Sequence, residues 1–349
     1  MRTRRVASAR VAGALVGAVV VALSGAGPAH AAEDPAVEGY AAEGHTSGAG
    51  TDPATRTDPA TRAPIPVTYH FLSGAALALG EPGAALPGAN DWSCRPAADK
   101  PRPVVLVHGT LGGGTTNWAT YGPLLHNEGY CVYTLTYGAT PGAPWPLTEV
   151  GGVSDIRGVS APQVAEFVDR VLESTGAEQV DLVGHSQGTL VSGLVAKFER
   201  PGRVHTVASI APLWHGTGGA LVDRALTGST GGDRARAEQA AGPVMPMLPG
   251  SQLLRELWEG GTPYAPGVHY LNVATRYDEA VLPYTSGLVD GPLTTNVVVQ
   301  DGCEQNLSEH VAVASDPRAA DYVLNALDPR NPREPRCVAI APVHGPTGS

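Results

Sequence analysis

Residues 180–188, V-D-L-V-G-H-S-Q-G, decide the fold predicted for this chain. The first four residues are typical of a strand buried on both faces of a sheet, and residues 187–199 continue as a helix with one apolar stripe. The five residues G-H-S-Q-G match G-x-S-x-G, a pattern of little weight by itself in a chain with 44 Gly. Its position between a strand and a helix makes it specific for a nucleophilic serine, because Gly184 and Gly188 permit a tight turn that leaves the Ser186 hydroxyl at the sheet edge.

Strands and helices alternate along the rest of the folded part, which predicts an α/β fold, a mostly parallel central sheet with helices on both faces. The other predicted strands are residues 104–107, 130–137, 204–210, 269–274 and 296–300, and the other predicted helices are residues 160–176 and 317–327. Ser160 and Gln163 have the spacing of a helix capping box. The alternation of strands and helices is interrupted between residues 212 and 267, where Gly, Pro and Trp stand among short apolar groups. This segment is predicted to be a lid-like insertion after the carboxyl end of a strand.

The composition excludes several classes of protein. The chain has 349 residues, 42% of them hydrophobic and 16% charged, and its glycines follow no three-residue period. It is therefore neither collagen-like nor wholly disordered, since the apolar fraction is enough to build a core. The formal net charge of -10 argues against a nucleic-acid partner, because a phosphate-binding surface needs clustered Lys and Arg.

The N-terminus predicts a secreted, extracellular protein. Four arginines precede the uncharged run 11–23, and Ala29-His30-Ala31 supplies the small-residue pattern of a cleavage site, so residues 1–31 are interpreted as a signal peptide. The apolar run is short of the roughly 20 residues that a membrane span needs, and we expect no transmembrane anchor. The Arg4-Arg5 pair is similar to a twin-arginine signal, but Ala7 stands where such signals carry a large apolar residue, which favours the general secretory route.

The domain organisation follows from shifts in composition. Residues 32–66 are rich in Pro, Thr and Asp and include the tandem hexapeptide T-D-P-A-T-R over 51–62, which predicts a disordered linker or pro-segment. Residues 67–340 hold the folded domain, including the insertion, and residues 341–349 are predicted to be a flexible tail.

Four cysteines in an exported chain favour two disulfides, which three pairings would satisfy. Cys94 and Cys131 flank the first strand-to-strand unit, and Cys303 and Cys337 bracket the C-terminal helix. We therefore expect Cys94 to pair with Cys131 and Cys303 with Cys337. Metal ligation is the weaker hypothesis, because no C-x-x-C spacing occurs, and no metal site is predicted.

A serine hydroxyl is a poor nucleophile until a base removes its proton, so Ser186 needs a histidine. The histidines downstream of it are His205, His215, His269, His310 and His344. His205 and His269 lie within predicted strands. His215 begins the insertion, and His344 lies in the Pro- and Gly-rich tail. His310 is the candidate base, because it follows the last strand in a loop from which an imidazole can reach the sheet edge.

The imidazole needs a carboxylate to hold its tautomer, at the carboxyl end of the preceding strand. Asp278 fits this place, four residues beyond the strand 269–274. Glu279 is its nearest rival, and Asp301, just after the last strand, is the third choice.

Backbone N–H groups are expected to stabilise an oxyanion next to Ser186. The N–H of Gln187 lies at the start of the helix, and the second donor is expected after the first strand, at Thr110 or Leu111. Residues 112–114 are three glycines, but nucleotide binding is not predicted because the loop lacks a Lys and the spacing G-x-G-x-x-G. His108 and His185 are interpreted as structural residues.

Several motifs together resemble those of a known family. They are N-D-W-S-C at 90–94, V-V-L-V-H-G-T at 104–110, G-Y-C at 129–131, V-D-L-V-G-H-S-Q-G at 180–188, A-T-R-Y-D-E-A-V-L-P-Y-T-S at 274–286 and S-E-H at 308–310. The chain thereby resembles the secreted bacterial triacylglycerol lipases and esterases of the α/β-hydrolase fold, most closely the actinobacterial members. The likeness spans residues 67–337. The sequence departs from this family at two places. Thr189 stands where many members carry Gly, and the insertion lacks the extra cysteines that some members have there.

The resemblance implies hydrolysis of carboxylic esters, with Ser186 as nucleophile, Asp278 as acid partner and His310 as base. It also implies an oxyanion hole at Thr110 and Gln187 and the same two disulfides. We expect a monomer that acts on triacylglycerol or another apolar ester without a cofactor.

Other hypotheses stay open from the sequence alone. A short-chain esterase, a polyester hydrolase, a phospholipase or an acyltransferase would use the same triad, and a binding protein could keep the fold without catalysis.

Overall fold

The central sheet consists of six parallel strands. The computed structural model describes residues 63–80, 82–218, 242–343 and 345–346. Its central strands are β1 (Val104–Val107), β2 (Val132–Thr134), β3 (Val180–His185), β4 (Val204–Ile210), β5 (His269–Ala274) and β6 (Thr294–Val298). They lie in the order β2-β1-β3-β4-β5-β6, and every neighbouring pair is parallel. The predicted parallel sheet is confirmed, and the carboxyl ends of all these strands meet at one edge.

Helices cover both faces of this sheet. They are α1 (Leu72–Gly80), α2 (Tyr121–Asn127), α3 (Ala161–Thr175), α4 (Gln187–Leu194), α5 (Gln252–Leu257) and α6 (Pro317–Leu327). Strand β1 is buried at all four positions, and its side chains alternate between two apolar cores. Val105 and Val107 pack in the core with α3 and α4, whereas Val104 and Leu106 pack in the core with α2 and α6. This two-sided burial explains the uninterrupted apolar run in the sequence.

The start of α3 differs from the predicted capping box. A π-helical turn, Ile156–Ser160, runs directly into α3, and Ser160 has helical dihedral angles. The helical run is capped further upstream, where the Asp155 side chain accepts the N–H of Arg157. Gln163 Oε1 instead accepts the N–H of Gly138 at 2.7 Å. The capping-box prediction was wrong because the chain is already helical before Ser160.

Two disulfides join neighbouring segments. Cys94 is bonded to Cys131 and Cys303 to Cys337, with Cα–Cα distances of 5.8 and 5.4 Å. The first links the segment before β1 to the start of β2. The second links the loop after β6 to the segment after α6.

Parts of the predicted domain organisation lie outside the described residues: the signal peptide, the linker up to residue 62, the part of the insertion from 219 to 241, and positions 344 and 347–349. Where the sequence predicts a flexible tail, β7 (Ile340–Ala341) pairs antiparallel with β8 (Gly345–Pro346). This ladder is held to the domain because the Leu307 N–H donates to the Ile340 carbonyl at 3.1 Å. Within the described ranges, no helix has the length and apolar character needed to cross a membrane.

Candidate active site

Ser186 alone forms the turn between β3 and α4. Its φ of 53° and ψ of -125° are a conformation that side-chain-bearing residues rarely adopt. Its N–H donates to the Ile210 carbonyl at 2.9 Å, and its carbonyl accepts the Thr189 hydroxyl at 2.8 Å. Thr189 thus helps to hold the turn. The serine side chain stays partly exposed at the sheet edge.

Glycines surround this turn because other backbones approach it closely. A Cβ at Gly188 would lie 2.1 Å from the Val107 carbonyl oxygen, and one at Gly184 would lie 2.8 Å from the Gly188 oxygen. A Cβ at Gly109 would lie 3.0 Å from the Cβ of Ser186. The strained turn can therefore pack against β1 only with glycine at 184 and 188, where a Cβ would meet backbone atoms, whereas at 109 a Cβ would require a small shift of Ser186.

The structure brings Ser186, His310 and Asp278 together. His310 Nε2 lies 2.9 Å from Ser186 Oγ, and His310 Nδ1 lies 3.1 and 3.0 Å from the two carboxylate oxygens of Asp278. A neutral imidazole that donates from Nδ1 to Asp278 presents the Nε2 lone pair to the serine hydroxyl. This is the arrangement that a general base needs.

The charges around His310 favour its protonated form. Burial opposes the imidazolium, but the carboxylate and hydrogen bond of Asp278, with the charges of Glu279 and Glu309, raise the pKa of His310 above its ordinary value. The imidazole is thereby made a stronger base, which suits removal of a proton from an alcohol.

Asp278 is the carboxylate that contacts the imidazole. Its Oδ1 also accepts the N–H groups of Ala280 at 3.0 Å and Val281 at 2.7 Å, which fix the carboxylate in place. Glu279, the next residue, contacts the backbone of His310 instead of its imidazole: its Oε2 accepts the His310 N–H at 3.2 Å. Asp301, the third choice, pairs instead with exposed Arg276.

Hydrogen bonds tie the Asp278 loop to the His310 loop. The Thr275 hydroxyl, at the end of β5, donates to the Ser308 carbonyl at 2.5 Å. Gln300 Nε2 donates to Thr275 Oγ1 at 2.9 Å, and the N–H of Arg276 donates to Gln300 Oε1 at the same distance. The two loops therefore keep their separation through the side chains of Thr275, which lies in the motif at 274–286, and Gln300, which lies in none of the motifs.

Two backbone N–H groups beside Ser186 are available as oxyanion donors. Within the described residues, the N–H groups of Thr110 and Gln187 make no hydrogen bond, whereas Leu111 N–H donates to the Gly151 carbonyl at 3.0 Å. Of the two positions left open by the sequence, only Thr110 therefore has a free donor. Gln187 Nε2 donates at 3.1 Å to both Thr110 Oγ1 and the Gly152 carbonyl, so one buried side chain holds the two donor segments together.

His108 and His185 are buried beside the site and stay neutral. Burial lowers the pKa of His108 to about 4, and its Nε2 accepts the N–H of Tyr137 at 3.1 Å. Burial, with repulsion from His310, lowers the pKa of His185 to about 3. His185 Nε2 lies 3.0 Å from the His310 carbonyl oxygen, and its Nδ1 lies 3.1 Å from Asn117 Oδ1. His185 therefore links the serine turn to the backbone of His310.

The other downstream histidines lie elsewhere. His205 and His269 stack at a centroid distance of 5.0 Å at the opposite edge of the sheet, where β4 and β5 begin. A cavity of about 330 Å³ at that edge is lined in part by Lys100, Arg102 and Asp181. His215 stacks on Trp258 in the insertion, at 4.5 Å. Within the described residues, no group of three or more His, Cys, Asp or Glu side chains is placed to hold a metal ion.

Comparison with known proteins defines the class of this fold. A family model described as the alpha/beta hydrolase fold matches residues 102–247. That stretch contains β1 to β4 and the turn at Ser186. Together with the sheet order, the match assigns the α/β-hydrolase fold to the chain.

Several solved structures are similar to this chain. One is a Bacillus licheniformis lipase, with 17% identity and a TM-score of 0.43 over 58% of this chain and 84% of that one. Another is a carboxylesterase of the thaumarchaeon Nitrososphaera gargenis, with 16% identity and a TM-score of 0.40 over 65% and 90%. A third is a pyrethroid hydrolase from Sphingobium faniae, with 18% identity and a TM-score of 0.41 over 66% and 98%.

Proposed function

We propose that this chain is a secreted serine carboxylester hydrolase that acts on triacylglycerols through an acyl-enzyme. The observation that carries the proposal is the 2.9 Å contact between Ser186 Oγ and His310 Nε2, with Asp278 on the far side of the imidazole. The free N–H groups of Thr110 and Gln187 complete the set that acyl transfer needs: a nucleophile, a base, an orienting acid and an oxyanion site.

Acylation follows from this geometry. Ser186 Oγ attacks the ester carbonyl while His310 Nε2 takes the hydroxyl proton, and Asp278 stabilises the imidazolium that results. The negative oxygen of the tetrahedral intermediate accepts hydrogen bonds from the N–H groups of Thr110 and Gln187. The imidazolium then protonates the alkoxy oxygen, the C–O bond breaks, and the alcohol leaves.

Deacylation repeats the same steps with water. His310 Nε2 removes a proton from a water molecule, whose oxygen attacks the acyl carbonyl. The intermediate collapses, Ser186 Oγ recovers the proton from the imidazolium, and the carboxylic acid leaves. The cycle uses only side chains, backbone N–H groups and water.

The proposal extends to the rest of the chain. Residues 1–31 would direct export, residues 32–66 would form the linker, and residues 67–340 the catalytic domain with its lid-like insertion. The two disulfides support export, because such bonds persist in oxidising compartments.

Removal of the Ser186 hydroxyl tests the mechanism. We expect Ser186→Ala to abolish hydrolysis of p-nitrophenyl esters, with a fall in kcat of about 10³-fold or more. Ser192→Ala is the matched control, since this buried hydroxyl on α4 bonds only to the Gly188 carbonyl within the described residues. Ester cleavage that survives in Ser186→Ala would rule out the mechanism.

A series of p-nitrophenyl esters from acetate to palmitate, together with triolein, tests the substrate class. For a lipase we expect kcat/KM to rise with acyl length, by up to about fourfold per buried CH₂. A maximum at acetate would indicate a short-chain esterase instead. Transfer of the acyl group to an added alcohol in place of water would indicate an acyltransferase.

A further inference from the structure

Glu309 is a buried carboxylate, next to His310 in the chain, that the proposed mechanism does not use. Its side chain belongs to a residue that is 7% exposed. Both carboxylate oxygens accept backbone N–H groups: Oε1 from Ala312 and Oε2 from Val343, each at 3.1 Å. The Glu309 carbonyl accepts the N–H of Val313 at 2.9 Å. Glu309 therefore closes the turn that follows His310 and joins this turn to a distant segment.

The segment that carries Val343 is fixed to the domain on both sides. Before it, the Ile340 N–H donates to the Gln305 carbonyl at 3.3 Å, and Ile340 is 2% exposed. After it, a Cβ at Gly345 would lie 2.4 Å from the Tyr69 carbonyl oxygen, so β8 packs directly on that backbone. We call β7, β8 and the Val343 between them the C-terminal hairpin.

Val343 is held in a strained conformation. Its φ of 66° lies in the left-handed region, which a β-branched residue rarely adopts. Such a conformation persists only where the surrounding contacts determine it, and it is common beside functional sites. The contacts here are the antiparallel pairing of β7 with β8 and the bond from the Val343 N–H to Glu309. The hairpin therefore presents this N–H to Glu309 in spite of an unfavourable backbone conformation.

Three carboxylates act on the His310 imidazole. Burial opposes the imidazolium, but the charges of Asp278, Glu279 and Glu309, in that order of strength, outweigh it and raise the pKa of His310. Within the described residues, none of the three forms an ion pair with Arg or Lys. The other titratable group that faces the imidazole, His185, stays neutral. In the described part of the chain, the charge of Glu309 therefore acts on His310 without a competing cation.

We infer that Glu309 is a positioning residue for His310, and that the C-terminal hairpin contributes to catalysis by holding the Glu309 carboxylate in place. Glu309 fixes the turn after His310, and its charge stabilises the imidazolium that forms when Ser186 gives up its proton. This inference rests on the proposed function, because it extends the site to a carboxylate and a hairpin outside the triad.

Titration of the His310 imidazole tests the inference without turnover. In the Ser186→Ala chain, the imidazole C–H signals are followed by NMR from about pH 5 to 9, and the His310 signal is assigned from its loss in His310→Ala. We expect Glu309→Gln to lower the His310 midpoint by about 0.5 pH unit or more, because one nearby negative charge is lost. Glu304→Gln is the matched control: Glu304 is an exposed carboxylate of the same loop, so the midpoint should not change.

A change in the hairpin tests whether the hairpin acts through Glu309. Gly345→Ala should displace it, because the added Cβ would meet the Tyr69 carbonyl oxygen, and should thereby lower the His310 midpoint. In the Glu309→Gln chain the same change should add little, because residues that act as one unit have non-additive effects. Gly267→Ala is the matched control: Gly267 has a similar φ, 75° against 80°, but nothing lies within 4 Å of an added Cβ.

Turnover of dissolved p-nitrophenyl acetate separates this role from the chemistry itself. In the chain with Ser186 intact, we expect Glu309→Gln to lower kcat about three- to tenfold with KM unchanged, and to move the acid limb of kcat/KM together with the NMR midpoint. If the intact chain cleaves no ester, the proposed function fails, while the NMR titration still tests the role of Glu309.

Two results would overturn the inference. One is the same His310 midpoint in the parent chain, in Glu309→Gln and in Glu304→Gln. The other is an equal shift caused by Gly345→Ala with and without the Glu309 carboxylate, because the hairpin would then act on His310 by another route. Ile340→Ala, which loosens the same hairpin by removing a buried side chain, gives the second comparison if Gly345→Ala does not fold.

Discussion

Replacement of Asp278 by Asn should lower kcat by about 10²- to 10⁴-fold, or about 2.7–5.5 kcal/mol. Asp278 Oδ1 accepts two backbone N–H groups, at 3.0 and 2.7 Å. Those donors will keep the amide oxygen of the introduced Asn in the place of Oδ1, 3.0 Å from His310 Nδ1, so its NH₂ group takes the place of Oδ2, 3.1 Å from the same nitrogen. An uncharged amide no longer stabilises the imidazolium, and its NH₂ group favours the imidazole tautomer with the proton on Nε2, which cannot accept the proton of Ser186.

The pH dependence gives a second readout of the same change. Because the pKa of His310 is raised and the neutral imidazole is the active form, kcat/KM of the unchanged protein should fall with acid below a midpoint above 6.5. Removal of the Asp278 charge should move that midpoint to lower pH. Initial rates on a dissolved p-nitrophenyl ester, measured from about pH 5 to 9, provide both quantities.

Glu279→Gln is the matched control for this prediction. Glu279 accepts the backbone N–H of His310, and an amide oxygen can accept the same bond, so kcat should stay within about tenfold. Near-normal turnover in Asp278→Asn, or an equal loss in Glu279→Gln, would refute the assignment of Asp278.

Two further predictions concern stability. Gly188→Ala should destabilise the fold by at least about 3 kcal/mol in urea unfolding, because its Cβ would lie 2.1 Å from the Val107 oxygen. Gly80→Ala, with open space around its Cβ, should be neutral, and similar midpoints for the two variants would contradict the packing argument. His108 and His185 have pKa values of about 4 and 3 in the folded protein, whereas a histidine in the unfolded chain has a pKa near 6.5. Below pH 6.5 the unfolded chain therefore binds more protons at these two histidines than the folded protein does. The part of the stability that these two neutral imidazoles contribute should be fully present above that pH and fall by up to about 2.7 kcal/mol per pH unit toward pH 4, whereas a flat profile from about pH 7 to 5 would show that the two imidazoles are not buried neutral.

The regular elements were predictable where apolar patterning was strong. Strands β4 and β5 and helix α6 have the predicted bounds, because their buried faces leave continuous or periodic apolar residues. Strand β2 is shorter than predicted, Val132–Thr134, and β6 begins two residues earlier, at Thr294. Helix α1 was not predicted because its sequence, L-S-G-A-A-L-A-L-G, has no polar face.

The candidate site was only partly predictable for a different reason. Ser186, Asp278 and His310 could be chosen because parallel strands deliver the residues after them to one edge. The choice between Thr110 and Leu111 needed the structure, since it depends on which N–H the distant Gly151 carbonyl accepts.

The contacts that connect Asn117 to His185 and His185 to His310 could not be predicted from the sequence either. It joins three positions that share no motif, at distances of 3.0 and 3.1 Å.

The central claim is that His310 makes Ser186 nucleophilic, and labelling with a fluorophosphonate tests this most directly. Intact-mass and peptide mass spectrometry should show a single adduct on Ser186, formed at least about 10³-fold more slowly in His310→Ala. An adduct on another residue, no adduct, or equal labelling rates in the two chains would contradict the account.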